Sequence, residues 1–320
     1  MLLLRLFAWI FPVGMMTLTP ELVFSQSYPN KPIRMVTNEV GGGGDFVGRL
    51  IAQGISGSLG QPVIIDNRGG GVIPGEIVSK APHDGYTLLI AGGSLWIGPL
   101  LRKTPYDAVR DFLPITIATK APNILVVQPS LPVRSVKELI SLAKAKPGAL
   151  NYSTGSPGSS THIAAELFKA MAGIDIVRIP YKGSSAGVNA VISGAVQMTF
   201  GDGASVDPQV NAGKLTALAV TSAAPSALAP GLPTVAASGL PGYESVQINA
   251  LFAPARTPAT IINRLNEEIV RFLQTPGANA RFLNSGLEVA GGSPDELAVK
   301  MKSEIVRLGK VIKNAGINAD

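Results

Sequence analysis

The chain contains no cysteine and only two histidines, His83 and His162, in 320 residues. Without thiols there is neither a disulfide framework nor a lipid-attachment cysteine, so the fold has to rest on its apolar core. The same scarcity removes the usual zinc and iron ligand sets. His162 and Glu166 stand four apart on a helical pattern, a spacing that suits a metal, but they lack companions to complete a shell, and no metal or cofactor is expected. Charge is also sparse, at 15% of residues, and despite a net +6 the Lys and Arg side chains occur one or two at a time. No basic stripe with interleaved aromatics is present, which argues against a nucleic-acid partner. Long hydrophobic runs are missing too. The run from Leu2 to Met16 is broken by Pro12 and Gly14 and is shorter than the roughly 20 apolar residues of a spanning helix. With Arg5 ahead of it and Val23 and Ser25 at the small-residue spacing of a cleavage site, it reads as an export signal over residues 1–25. A periplasmic location follows.

What is abundant is apolar and turn-forming: 46% hydrophobic residues, 36 glycines and 25 prolines. Such a composition excludes disorder and suits a well-filled α/β interior. About 295 residues remain after the leader, enough for two domains. Short β-branched runs alternate with helical periodicities, the pattern of sheets covered by helices. Strands are expected at Ile33 to Thr37, Pro62 to Asp66 and Thr87 to Ala91, with a helix marked by Phe46, Leu50, Ile51, Ile55 and Leu59. The pattern restarts at Ile124 to Val127 and runs through "SVKELISLAKAKPG", "LNYST", a helix marked by Ile163, Leu167, Phe168 and Met171, and the runs "AVQMTF" and "LTALAVTS". "INALFAP" then returns as a strand, and amphipathic helices at Pro258 to Gln274 and Pro294 to Asn314 close the chain. Two α/β units joined by crossing segments, near Ala121 to Leu125 and Asn249 to Ala253, would leave a cleft and a hinge between them.

In open α/β sheets the binding crevice lies beyond the carboxyl ends of the strands, so strand-to-helix loops carry function. Two stand out, "NEVGGGGD" and "TGSPGSSTH". Gly41 to Gly44 lack Cβ, so backbone N–H groups can approach an anion at the start of a helix expected near Asp45, with Asp45 as its N-cap. The Lys and Ser/Thr of a phosphate loop are absent after these glycines, and no G-x-G-x-x-G window is complete. The second loop offers backbone donors and the hydroxyls of Ser156, Ser159, Ser160 and Thr161. Facing each other, the two loops would grip a small carboxylate.

One motif points to catalysis instead. Gly183 to Gly187 fits G-x-S-x-G with Ser185 as nucleophile. That fold orders its triad Ser, acid, His, whereas both histidines here precede Ser185. An exported serine hydrolase, or a ligand-sensing domain without transport, are the alternatives to a binding receptor.

Several segments together carry a family resemblance: "YPNKPIRMV", the glycine loop ending in Asp45, "LGQPVIIDNRGGG", "APHDGYTLL", "PYDAVRDFLPIT", "SVKELISLAKAKPGALNYSTG", "SSTHIAAELFKAMAG", "IPYKG" and "LPTVAASGLPGYE". In order and spacing the chain resembles, over nearly its whole length, the substrate-binding receptors of tripartite tricarboxylate transporters, also called the Bug family. The resemblance implies a two-lobed, type II-like periplasmic binding-protein fold, each lobe a mixed sheet flanked by helices. The lobes are expected at 26–122 with 250–320, and at 123–249. It also implies a monomeric, non-enzymatic receptor that presents a small carboxylate to membrane transporter subunits. By position, the binding loops would supply Gly42, Gly43 and Gly44, and Ser156, Gly158, Ser159, Ser160 and Thr161. Departures from the family pattern fall at Thr37, Asn38, Glu39 and Val40, at Gly44, at Phe200 to Gly203 and around Asn249. Asn38 joins the expected site with Glu39 and Asp202, whose acidity weakens a dicarboxylate or citrate assignment. Either acid would pair with the amino group of a zwitterionic ligand, or both point to solvent.

Overall fold

In the computed structural model the alternating pattern becomes a continuous, curling mixed sheet clothed by helices. Residues 28–317 are described, apart from Glu39, Gly42, Gly70, Ser156, Pro157, Lys182 and Gly183. The expected export signal, and Glu39, Gly42 and Ser156 of the expected site, lie outside the described residues.

The chain begins β1 (Ile33–Thr37), α1 (Gly43–Leu59), β2 (Val63–Asn67), α2 (Ile73–Ser79), β3 (Thr87–Gly92), α3 (Ser94–Leu101) and a long β4 (Phe112–Val127). It continues with α4 (Val136–Ala145), β5 (Asn151–Thr154), α5 (Ser160–Ala172), β6 (Val177–Pro180), α6 (Ser184–Ile192), β7 (Met198–Asp202), α7 (Gly203–Asn211) and β8 (Thr216–Val220). It ends with β9 (Val246–Pro254), α8 (Ala259–Leu273), α9 (Pro276–Leu283), β10 (Glu288–Gly291) and α10 (Pro294–Ala315). The sheet order is β2-β1-β3-β9-β4-β7-β5-β6, with β8 and β10 also on β4. Neighbours β1/β2, β1/β3, β5/β6 and β5/β7 are parallel, while every pairing of β4 and β9 is antiparallel.

β4 organises the molecule. Up to Pro122 it pairs with β9, and from Asn123 it pairs with β7 and β8. The sequence reading placed only the Ile124–Val127 end of it, because Pro114 and Pro122 interrupt the pattern. The strand tolerates them where prolines can sit: Pro114 adjoins a register shift and Pro122 marks the exchange of partners. Helices α3 and α7 were unexpected for a related reason, since each carries a proline inside it, Pro99 and Pro208. Of the expected second crossing, Asn249–Phe252 is paired on both sides, to β3 and to β4. The chain changes sides earlier, where Ser245 N–H donates to Thr221 O.

Two cores result. One packs α1 and α8 on β1, β3 and β9, with Ile262, Leu265, Ile269 and Leu273 supplying the buried stripe of α8. At about 1.5–3 kcal/mol per buried aliphatic side chain, that stripe alone is a major stabilising term. The other packs α4 and α5 on β4, β5 and β7 around Tyr152, Phe168, Phe200 and Tyr243. Helix α10 packs across three of the clusters. It starts at a capping box between Ser293 and Glu296, sends Leu297 and Met301 among Trp96 and Phe252, and further on packs Leu308 and Ile312 against Ile163 of α5.

Candidate ligand-binding site

Strand pleat decides which residues meet the two loops. Ile33 and Met35, Leu88 and Ile90, and Leu251 and Ala253 all share the α1 core. Because side chains alternate, Thr37, Gly92 and Asn249 continue those rows on the same face, at the strand ends where α1 begins. Asn249 Nδ2 donates to Thr119 Oγ1 of β4 at 3.1 Å, which adds Thr119 to the row. In the other half Leu125, Phe200 and Tyr152 share a core with α5, so Asn123, Asp202 and Thr154 continue on that face at the end where α5 begins. Thr119 and Asn123 are four residues apart on one strand, a separation of about 13 Å. Each half therefore sets a helix N-terminus over a row of small polar side chains, and β4 links the two rows.

The first loop is pinned from below. Helix α1 starts at Gly43, so Asp45 lies inside its first turn rather than at the N-cap as expected. Its buried carboxylate reaches back to accept from Gly41 N–H at 2.9 Å, and it also accepts from Asn67 Nδ2 at 2.9 Å and Arg49 Nε at 2.8 Å. Burial opposes ionisation, but the Arg49, Gly41 and Asn67 hydrogen bonds win and hold Asp45 below the ordinary carboxylate value. Asn67 Nδ2 donates to Asn38 O as well, so Asn38 serves the loop through its carbonyl. Gly41 turns the chain with φ 81°, and a Cβ on Gly44 would stand 2.6 Å from Thr37 Oγ1. The first N–H groups of a helix have no partner within it, which leaves those of Gly43 and Gly44 for a ligand. Asn249 Oδ1 lies 4.0 Å from where a Gly43 Cβ would be.

The second loop is pinned by its own helix. Ser159 is the N-cap of α5, its hydroxyl accepting from His162 N–H. Thr161 Oγ1 accepts from Gly155 N–H at 3.0 Å and meets Ser159 Oγ at 3.1 Å. One hydroxyl proton of that pair satisfies the pair itself, so one is left to donate outward. Gly158 N–H is committed to His162 Nδ1 at 3.1 Å, and the first-turn N–H groups of Ser160 and Thr161 remain. Burial first, then the positive Arg178 and Lys169, lowers the His162 pKa to about 4, so the ring is neutral and Nδ1 can accept. Gly158 and Ser160 share a cavity of about 160 Å³ with Gly92, Gly93 and Ser94, which brings the second loop beside the turn after β3.

Asp202 is placed differently from a free ligand carboxylate. It N-caps α7, accepting from Ser205 N–H at 2.9 Å and from the Ser205 hydroxyl. Thr119, Asn123 and Ser184 were not among the expected site residues, and Thr37 and Asn249 were noted only as departures. Among the described residues, Thr37 Oγ1, Asn123 Nδ2, Ser184 Oγ and, outside the site, His83 Nδ1 are buried side-chain atoms without a hydrogen-bond partner. An unsatisfied buried polar atom costs about 1–3 kcal/mol. Thr37 and Asn123 fall in the two rows described, and Ser184 at the start of α6. Only pairing across the sheet could have revealed them.

Neither histidine reaches the serine of the catalytic alternative. Ser185 sits in the first turn of α6, exposed, with Ser205 Oγ at 3.4 Å, while His162 is held by Gly158 and His83 by Arg256. Among the described residues no group of three His, Cys, Asp or Glu side chains could hold a metal, and no helix is long and apolar enough to cross a membrane.

The sequence matches the family described as "Tripartite tricarboxylate transporter family receptor" over residues 47–317. Protein BugT of Bordetella pertussis is 34% identical over 300 residues, covering 92% of each chain. Among solved structures, "R. palustris Rpa4515 with adipate" is 37% identical with a TM-score of 0.71, covering 91% of this chain and 99% of that one. MatC from Rhodopseudomonas palustris with bound malate is 26% identical with a TM-score of 0.67, covering 89% and 100%. Matches of this extent, on a fold with paired strand-end loops, establish that the chain belongs to the tripartite tricarboxylate transporter receptor family.

Proposed function

We propose that this chain is an exported receptor whose halves close over a small carboxylate-bearing molecule and hand it to the membrane subunits of a tripartite tricarboxylate-type transporter. The observation that carries the reading is that α1 and α5 each begin over a row of polar residues at strand ends, with β4 contributing to both rows. Amide donors at a helix start favour anions through both their free N–H groups and the helix dipole. Hydrogen bonds to a charged group contribute about 1.5–3 kcal/mol each, so three to five suffice for the roughly 8 kcal/mol of micromolar binding. Gly43, Gly44, Ser160 and Thr161 supply N–H groups of that kind, and Thr37, Asn123 and Ser184 supply neutral side chains for the rest of the ligand.

The relatives solved with adipate and malate make acids of that size the first probes. Asp202 spends its charge on the start of α7, which reduces its weight against a second carboxylate. Glu39 keeps the zwitterionic option open. Calorimetry with adipate, malate, aromatic carboxylates and amino acids is expected to find one micromolar ligand that raises the unfolding temperature without being turned over. If no carboxylate binds below about millimolar, the reading fails. A dicarboxylate that binds best, equally in native protein and in Glu39→Gln, removes the zwitterionic option.

A further inference from the structure

The back of α5 forms part of a second feature. Its last turns and α10 enclose an open groove of about 880 Å³ whose lining is mostly apolar. Met171, Val299 and Val306 are among the larger hydrophobic side chains left exposed, at 37%, 67% and 63%. Around them stand Lys302, Arg307 and Lys310, and no carboxylate lines the groove. Neither Lys302 nor Lys310 has an acidic partner among the described residues. Single exposed valines are ordinary; three large apolar side chains in one cationic groove call for a cover.

The groove is also tied to the ligand site. Helix α5 places its first turn at the proposed carboxylate and its last turn in the groove. The other wall, α10, packs Met301 into the Trp96–Phe252 cluster of the first half and Val311 into the α4/α5 core of the second. A shift of one half against the other would therefore change the groove's width.

The geometry points to this groove as a docking site for an amphipathic, acidic segment of a membrane-embedded partner protein, which would read the closed state there. The inference rests on the receptor reading above. Apolar side chains of the segment would cover Met171, Val299 and Val306, and its carboxylates would pair with Lys302 and Lys310.

The test places a photo-crosslinking residue at Val306 of the full chain in the source bacterium, with Ile64 on edge strand β2 as the control position. An adduct to an integral membrane protein is expected at position 306 only, with Asp or Glu flanking the crosslinked peptide in mass spectra. Lys302→Glu with Lys310→Glu should lower its yield about tenfold, while calorimetric affinity for adipate or malate, whichever binds, stays unchanged. A chain-to-chain adduct, no adduct, or a yield indifferent to the charge reversal overturns the proposal. Failure of the receptor reading would appear separately, as absence of carboxylate binding in calorimetry whatever the crosslinking result.

Discussion

Between about pH 6.5 and 4, acidification is expected to destabilise the folded chain through His162. Its ring is 3% exposed and accepts Gly158 N–H at Nδ1. Glu166 Oε1 stands 3.9 Å from Nε2, and Lys169 and Arg178 are close enough to oppose a further positive charge. In the unfolded chain His162 takes up a proton near its ordinary value of 6.5, whereas in the folded chain it resists until about pH 4. Between those values the unfolded state binds more protons, so stability is intact above about pH 6.5 and falls as the pH drops towards 4. At about 1.4 kcal/mol for each pH unit, the ceiling is about 3 kcal/mol. A loss of about 1–3 kcal/mol is expected, a sizeable share of the 5–15 kcal/mol typical of folded domains. Urea unfolding of the native protein and His162→Gln at pH 7, 6, 5 and 4.5 measures it. Other titrating groups are common to both proteins and cancel in the difference, so the native-minus-variant free energy should shrink as the pH falls. A difference that stays flat across that range refutes the reasoning.

Gly44→Ala forces a Cβ against Thr37 Oγ1 and is expected to cost about 1–3 kcal/mol in thermal or urea unfolding; adding Thr37→Ala should recover most of it. Asp45→Ala strands Gly41 N–H, Asn67 and Arg49 together, for an expected loss of about 2–3 kcal/mol at pH 7. Because the Asp45 pKa is depressed, its stabilisation is present above the ordinary carboxylate range and disappears as the pH falls through the lowered value, so the gap between native protein and variant should close in acid. Ser185→Ala is expected to leave calorimetric ligand affinity unchanged, since the hydroxyl meets only Ser205; loss of an ester-cleaving activity in that variant would restore the hydrolase alternative.

Much of the architecture was legible along the chain because it depends on local periodicity. The apolar spacing of Ile262, Leu265, Ile269 and Leu273 marks a helix wherever it packs, and α8 is that helix. The glycine and serine loops announced themselves by composition, and each does precede a helix, α1 and α5. Prolines hid what they interrupt. Pro99 and Pro208 concealed α3 and α7, and Pro114 and Pro122 concealed most of β4, since local rules treat proline as an end. Acidic residues misled in a second way. Asp45 and Asp202 both serve helix starts, but Asp45 reaches back from within its helix and Asp202 caps one that the pattern did not announce.

The sequence alone determined the α/β alternation, the thiol-free core, the two anion-ready loops and the family, because each depends on residue type and short spacing. Tertiary structure alone decided which polar side chains stand beneath those loops. Thr37, Thr119, Asn123 and Asn249 come from three strands distant in sequence, and only strand pairing through β4 and β9, together with the two-residue pleat, sets them at the strand ends where α1 and α5 begin. Long-range register of that kind is a property of the whole sheet, and no single segment encodes it.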